Sequence, residues 1–267
     1  MQTLFWTSLT IGILIQRSSA RLLDDHCKTS TGMRVWNGEN AELKAAAWMA
    51  GVRFVLTAAH CIKDQGNLFV RLGAYNLLLP VVEYSVSNAV IHREYFSETG
   101  QNDIGLLQLP LNIVFTGQIY PICIDLNPTE KREVENANTL DAYGWGKTRT
   151  ANISEILQRV TLQHYNPRRC NRIARAPLTL NQICAGSLDR DTCKGDSGGP
   201  LIQKLNYNGT RHLTQLGIVS YGSESCKGLG VYTDVTSYAE WIDEQIKALF
   251  SKYSRQSSPT GKNVDKM

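Results

Sequence analysis

Proline is scarce in this sequence, with 8 among 267 residues, and charged residues make up only 19%. The formal net charge of +4 arises without a long basic run, so neither a nucleic-acid-binding stripe nor a polybasic membrane patch is indicated. Hydrophobic residues reach 42%, which excludes collagen-like and disordered chains. The length permits one globular domain or two, and charge does not identify a partner.

Long apolar runs are also missing, except near the N-terminus, where one extends from Leu4 to Ile15 before Arg17 and the small residues 18–20. This pattern predicts a secretory signal peptide over residues 1–20, cleaved after Ala20. The alternative is a short membrane anchor, but the run is shorter than the ~20 residues that a spanning helix needs. A secreted, extracellular chain with seven cysteines is expected to hold disulfide pairs and one unpaired thiol.

Short runs of β-branched and aromatic residues, separated by Gly, Asn, Asp and Ser, dominate the chain from Val35 to about Tyr232. The clearest runs are 53–56, 68–72, 81–90 and 216–221. This spacing predicts an all-β fold, as a barrel or a sandwich.

Helical spacing of apolar residues follows near the C-terminus and predicts an amphipathic helix docked on the body, with Thr236 or Ser237 as N-cap. Its apolar residues are Tyr238, Trp241, Ile242, Ile246, Leu249 and Phe250. Residues 21–34 predict a short processed prosegment and 251–267 a polar tail.

Three motifs carry the residue types that amide hydrolysis by a serine requires: a nucleophile, a base, a carboxylate that orients the base, and donors for the oxyanion. His60 lies in TAAHC at 57–61, directly after an apolar run. Asp103 enters an apolar run in NDIGLL at 102–107, where a buried carboxylate needs a partner. Ser197 lies in DTCKGDSGGP at 191–200, whose glycines let consecutive N–H groups point at one spot. Each motif alone has a structural alternative: a core histidine, a strand-entry cap or a plain turn.

Together, in the order His, Asp, Ser, the motifs resemble those of the chymotrypsin-like (S1, trypsin-like) serine proteases, over about residues 27–250. The likeness is especially close to insect-type secreted proteases with short prosegments. It implies two six-stranded antiparallel Greek-key barrels with a C-terminal helix, over residues 35–250. It also implies an endopeptidase that cleaves protein substrates after Arg or Lys through an acyl-enzyme, without a cofactor, and that protein inhibitors can bind.

The resemblance also implies a role for individual residues. Ser197 is the nucleophile, His60 the general base and acid, and Asp103 the residue that holds the imidazole in its productive tautomer. The backbone N–H groups of Gly195 and Ser197 form the oxyanion hole. The substrate-binding positions are Asp191, at the floor of the pocket that selects Arg or Lys, and Ser220, Tyr221, Gly222 and Gly230.

A zymogen is implied by the stretch TGMRVWNG at 31–38, which resembles the family's activation site. An activating trypsin-like protease is expected to cut after Arg34. The freed α-amine of Val35 then pairs with Asp196 and orders the oxyanion loop. By the same resemblance, Cys27 pairs with Cys123, Cys170 with Cys184 and Cys193 with Cys226, which leaves Cys61 unpaired.

One departure from the family accounts for that odd cysteine. Relatives join the cysteine at position 61 to one in a Phe-x-Cys-Gly-Gly stretch that is absent here, where Ala47–Ala50 runs through Gly51 and Val52 into the next apolar run. About a dozen residues of the first barrel are therefore missing. Three explanations are open: the sequence omits a segment of an ordinary protease, the protein is a variant with a damaged barrel, or it is a catalytically inactive homologue that binds or regulates partners.

Smaller signals concern metals and glycans. The loop at 73–76 matches a calcium loop of some relatives, but Ala74 replaces the acidic ligand, so no metal is expected. Asn152 and Asn208 each begin an N-x-Ser/Thr glycosylation signal.

Overall fold

A computed structural model describes residues 53–79, 82–116, 119–126, 137–148, 150–174, 176–187, 192–207, 210–223, 226 and 228–256. The strands in this part of the chain are β1 (Phe54–Thr57), β2 (Phe69–Leu72), β3 (Val82–Ser85), β4 (Asn88–Ile91), β5 (Gly105–Gln108), β6 (Thr139–Gly144), β7 (Gln158–Tyr165), β8 (Gln182–Ser187), β9 (Pro200–Tyr207), β10 (Thr210–Gly222) and β11 (Gly228–Asp234). Helical segments are 3₁₀ turns at Ala59–Cys61 and Val235–Tyr238 and the α-helices α1 (Pro167–Cys170) and α2 (Ala239–Gln256). No helix in these ranges is long and apolar enough to cross a membrane.

The C-terminal half forms a closed antiparallel barrel of six strands, in the order β10-β11-β8-β7-β6-β9. Alternate side chains of these strands point inward, as the period of a strand requires, and fill the barrel with a buried apolar cluster. The cluster includes Leu140, Leu162, Ile183, Leu201, Leu216 and Tyr232. The predicted all-β class is confirmed, and the barrel rather than the sandwich is the form observed.

The N-terminal half consists of two smaller sheets, β1-β5-β4 and β2-β3. They pack together through Val70 and Leu72 of β2 and Leu107 of β5, with Leu109, Ile113 and Ile119 completing the cluster. Within the described residues β1 pairs only with β5, and β2 only with β3. The described part of this half therefore comprises two separate sheets, and residues 35–52, which belong to the predicted first barrel, lie outside the described residues.

Helix α2 docks on both halves through Ile242, Ile246 and Leu249, which are buried in a cluster with Phe54 and Leu56 of β1. The helical spacing predicted from the sequence is thus confirmed. The cap differs from the prediction: Asp234 accepts from Thr236 N at 2.9 Å, and Thr236 and Ser237 lie inside the 3₁₀ turn that precedes α2. The helix extends to Gln256, into the stretch whose composition predicts a polar tail.

Replacing Ile242 with Ala tests whether α2 holds the two halves together. Ile242 is completely buried, so Ile242→Ala is expected to lower the free energy of unfolding by about 2–5 kcal/mol. Leu180 is 89% exposed, and Leu180→Ala is the control, expected to change it by less than about 0.5 kcal/mol. Urea denaturation measures the free energy of unfolding of both variants. Equal losses in the two would show that the packing of α2 contributes little to stability.

Candidate active site

The His60 side chain is held against Asp103 by two contacts. His60 lies in the 3₁₀ turn directly after β1, and Asp103 lies just before β5, the neighbour of β1. His60 Nδ1 is 2.8 Å from Asp103 Oδ2, and the His60 backbone N–H donates to Asp103 Oδ1 at 2.9 Å. The pairing of β1 with β5 therefore positions the predicted base beside its predicted orienting carboxylate.

Asp103 is almost fully buried, with 2% of its side chain exposed. Besides His60, it accepts a hydrogen bond from Ser220 Oγ of β10 at 2.5 Å, and its carbonyl oxygen accepts from Thr233 Oγ1 of β11 at 2.8 Å. These donors supply what a buried carboxylate needs. The sequence motif identified Ser220 only as a substrate-strand residue, and nothing in the sequence indicates its hydroxyl contact across the two halves.

The surroundings of His60 raise the pKa of its imidazole from 6.5 to about 10. The hydrogen bond to Asp103 is the largest cause, the contact with Cys61 the second, and burial opposes both. Since the folded pKa is the higher one, this group's contribution to stability is complete below about pH 6.5 and is lost as the pH rises towards 10. The ring therefore favours the protonated state at neutral pH in this structure.

Cys61 is a free, half-buried thiol whose Sγ lies 3.5 Å from His60 Nε2. Because this contact raises the pKa of His60, it favours the protonated ring, in which Nε2–H donates to the Cys61 sulfur. No hydrogen bond joins Ser197 Oγ to this nitrogen in the described part of the molecule. The thiol thus contacts the ring atom that the predicted mechanism assigns to Ser197.

The loop that carries Ser197 is shaped by two glycines with positive φ. Gly195 has a φ of 98° and Gly198 a φ of 76°, a region that L residues rarely adopt. Ser197 is exposed between them. Among the described residues no acceptor bonds to the backbone N–H of Gly195 or Ser197. These donors are unengaged, as an oxyanion hole requires.

Asp196, beside Ser197, points inward and not to solvent. Its Oδ1 accepts from Gly146 N at 2.7 Å and its Oδ2 from Cys193 N at 2.9 Å. Burial raises the pKa of this carboxyl, and the two backbone N–H groups partly offset that rise. No cation from the described residues pairs with it.

The predicted pocket walls lie opposite each other in the barrel. Gly222 of β10 pairs with Gly230 of β11, and a Cβ added at Gly222 would meet Gly230 Cα at 3.5 Å. A Cβ at Gly230 would instead approach the hydroxyl of Tyr232 at 2.8 Å, so only glycine fits there without a shift. Tyr221, the next predicted position, packs its ring against Gly100.

Two of the three predicted disulfides lie within the described residues, Cys170–Cys184 and Cys193–Cys226. Cys123 is also disulfide-bonded, and its predicted partner Cys27 lies outside the described residues. Asn152 is exposed, as a glycan acceptor must be. The other predicted positions outside the described residues are Arg34, Val35, Asp191 and Asn208.

A cavity of about 250 Å³ opens beside Ser197 and was not predicted from the sequence. It lies between β1 and β2 and is bounded on one side by residues 195–199. Phe69, Val70 and Leu72 line it from β2. No group of three or more His, Cys, Asp or Glu in the described ranges could hold a metal ion.

The fold and this constellation define a β-barrel hydrolase site of the serine type. The family model described as Trypsin matches residues 34–242. The chain belongs to the trypsin family of serine proteases, as its motifs had suggested.

Curated relatives include insect and mammalian proteases. Serine protease grass of Drosophila melanogaster is 30% identical over 82% of this chain and 70% of its own length. CLIP domain-containing serine protease B9 of Anopheles gambiae is 31% identical, and the match covers 84% of this chain and 66% of that protein. Vitamin K-dependent protein C of Oryctolagus cuniculus is 35% identical over 77% of this chain, and the match covers only 47% of that protein's length.

A solved structure shows the same fold. The crystal structure of the Drosophila Grass clip serine protease of the Toll pathway matches with a TM-score of 0.74 at 28% identity. The match covers 85% of this chain and 75% of that one. The likeness therefore extends well beyond the local motifs.

Replacing Cys61 with Ala is expected to lower the pKa of His60. Cys61→Ala removes a contact that raises this pKa, while the stronger contact with Asp103 remains, so the new value should lie between 6.5 and about 10. An NMR titration of ¹⁵N-labelled imidazole measures it, with Cys170–Cys184 and Cys193–Cys226 intact as the check on folding. An unchanged or higher pKa would contradict the thiol contact.

Gly146 is expected to tolerate no side chain. A Cβ there would lie 2.5 Å from Asp196 Cγ, so Gly146→Ala must displace that carboxylate or the backbone and should cost about 1–3 kcal/mol of unfolding free energy. Gly66 has open space around its Cβ position, and Gly66→Ala is the matched control. Chemical denaturation compares the stability of the two variants. Equal stability would show that the Asp196 carboxylate is not held in place against residue 146.

Proposed function

We propose that this chain is a secreted serine endopeptidase that cleaves protein substrates after Arg or Lys through an acyl-enzyme. The observation that carries the proposal is the buried Asp103 that orients His60 next to a loop with two unengaged N–H donors. Membership of the trypsin family supports the same reaction. The signal-like pattern at residues 1–20 and the disulfides support secretion.

In the proposed mechanism, Ser197 Oγ attacks the scissile carbonyl and His60 Nε2 takes its proton. Asp103 keeps Nδ1 protonated through the 2.8 Å contact and stabilises the imidazolium that forms. The N–H groups of Gly195 and Ser197 bind the oxyanion, and His60 then returns the proton to the leaving amine. A water molecule then attacks the acyl-enzyme carbonyl with the same base and the same N–H donors, and the second product is released. For attack, the His60 ring must be neutral and Cys61 must yield Nε2 to Ser197.

The proposed specificity rests on charge and space. Asp191, by its place in the motif, supplies a carboxylate at the floor of the pocket for the guanidinium or ammonium of the substrate. The facing glycines, Gly222 and Gly230, leave the walls without side chains. Ser220 and Tyr221 precede Gly222 on β10, whose backbone we propose pairs with the substrate.

Activation is proposed to act through Asp196. This carboxyl has two N–H donors but no cation among the described residues, and burial raises its pKa. A protonated α-amine at Val35, released by an activating protease that cuts after Arg34, supplies the missing positive charge. Pairing would bring the pKa of Asp196 back down and fix the loop that carries Gly195 and Ser197.

A second candidate is a catalytically inactive homologue that binds or regulates partners. The observation that favours it is the contact of Cys61 Sγ with His60 Nε2 in place of Ser197 Oγ. The cavity beside Ser197, between β1 and β2, points the same way. Labelling of the nucleophile separates the two candidates.

The full-length protein, cut after Arg34 by trypsin and freed from it, is expected to react with a biotinylated fluorophosphonate at Ser197. Ser197→Ala should abolish labelling, because only an activated serine attacks the reagent. The uncut zymogen should label at least ~10-fold less, since its oxyanion loop lacks the proposed ion pair.

Substrate preference completes this test. The activated protein should hydrolyse an Arg amide more than about 100-fold faster than the matching Leu amide, because a buried carboxylate left unpaired is costly. A folded, correctly cut protein that neither labels nor cleaves would establish the inactive homologue instead. The intact mass of the secreted protein shows whether it contains further residues before Arg53 that the printed sequence lacks.

A further inference from the structure

Asn102, the residue before Asp103, adopts a left-handed backbone conformation with a φ of 54°. L residues rarely adopt this conformation, and Asn adopts it more readily than most because its short side chain can bond locally. The Asn102 carbonyl oxygen accepts from Ile104 N at 2.8 Å, which closes a tight turn around Asp103. A change of backbone angles at Asn102 would therefore rotate the Asp103 carboxylate away from His60.

The Asn102 side chain is bound at both ends. Its Nδ2 donates to the carbonyl oxygen of Glu94 at 2.8 Å, and its Oδ1 accepts from the Tyr238 hydroxyl at 2.8 Å. Because a carbonyl oxygen can only accept, the Glu94 contact fixes which end of the amide carries the nitrogen. Tyr238 is therefore the donor to Oδ1, and a rotation of the amide would break both bonds.

Tyr238 is itself held firmly. It is only 4% exposed and lies in the 3₁₀ turn before α2, within the core cluster that joins α2 to β1. Its ring packs edge-on against that of His92, with the ring centroids 5.5 Å apart. The Asn181 side chain is a second hydrogen-bond partner of the hydroxyl. Contacts other than that with Asn102 therefore fix the position of the hydroxyl.

The Tyr238 hydroxyl keeps its proton, and so remains a donor, at neutral pH. Burial is the largest cause that raises its pKa to about 12, and the contact with Asn181 opposes that rise. The negative charges of Asp234, Asp103 and Glu94 add to it. The hydroxyl is thus within electrostatic reach of the Asp103 carboxylate whose backbone it helps to hold.

We propose that Tyr238 is a positioning residue for the Asp103 carboxylate. Its hydroxyl holds the Asn102 amide, and the amide fixes the turn before Asp103. That turn directs Asp103 Oδ2 at His60 Nδ1, 2.8 Å away. Tyr238 acts through Asn102 and touches none of the groups that the proposed mechanism assigns to the reaction. The inference deepens the proposed protease function and rests on it.

Tyr238→Phe tests this role in the full-length protein, because Phe keeps the buried ring and loses only the hydroxyl. An NMR titration of ¹⁵N-labelled imidazole in the uncut protein should give a His60 pKa below the wild-type value, since the bond to Asp103 is the largest cause of its rise. After the cut at Arg34, kcat for an Arg amide should fall about tenfold with KM unchanged, because the lost contact orients the base and not the substrate.

Two further variants separate positioning from general stability. Tyr84→Phe removes a tyrosine hydroxyl from β3, in a different apolar cluster, and should leave both the His60 pKa and kcat unchanged. Asn102→Gly removes the amide while glycine still permits the left-handed backbone. Adding Tyr238→Phe to Asn102→Gly should lower kcat further by less than about twofold. Losses that multiply in full would show that Tyr238 does not act through Asn102 and would overturn the proposal.

Failure of this inference can be told apart from failure of the protease, because the His60 pKa is measured without catalysis. An unchanged His60 pKa in Tyr238→Phe overturns the positioning role, whatever the activity. A wild-type protein that is folded and cut but never labels with fluorophosphonate refutes the proposed protease. A lowered His60 pKa in Tyr238→Phe would even then support the hold of Tyr238 on Asp103.

Discussion

The buried carboxylate of Asp103 is the interaction on which the rest of the structure depends. Removing a charge from water costs several kcal/mol unless donors replace the lost solvent. Here the donors come from both halves: the backbone and ring of His60 follow β1, and the hydroxyl of Ser220 belongs to β10. One residue therefore links the N-terminal sheets to the closed barrel. Loss of either set of donors would leave this buried charge with fewer hydrogen bonds to replace the lost solvent.

Much of the fold could be predicted from local sequence patterns, because burial on a sheet or along a helix leaves a periodic trace. The apolar run at 53–56 overlaps β1, and the run at 216–221 lies within β10. The spacing of Ile242, Ile246 and Leu249 predicted α2 correctly, since all three face the core. The motifs at 57–61 and 102–107 also pointed to the His60–Asp103 pair, because residue types at set positions reflect the chemistry that they share.

Contacts between distant side chains could not be predicted in this way. Ser220 lies 117 positions from Asp103, and its hydroxyl bond depends on how β10 passes behind the site. The N-cap was misplaced because Thr236 and Ser237 are good caps in sequence, whereas Asp234 reaches the free N–H groups in space. The 3.5 Å approach of Cys61 Sγ to His60 Nε2 was not predicted either, because adjacent positions in the sequence do not determine how the two side chains turn. Asp191 and Val35 remain predictions from motif alone.

The exposed apolar side chains of the β2-β3 sheet have a consequence for how the protein behaves in concentrated solution. Each strand has one bonded neighbour in the described part of the chain, and Phe69 and Val82 on the β2-β3 sheet are 58% and 46% exposed. Unpaired strand edges next to apolar side chains recruit strands from other molecules, which leads to aggregation. The short length of both strands, four residues each, limits such recruitment. The balance between these exposed apolar side chains and the short strands sets how readily copies of the protein associate during expression.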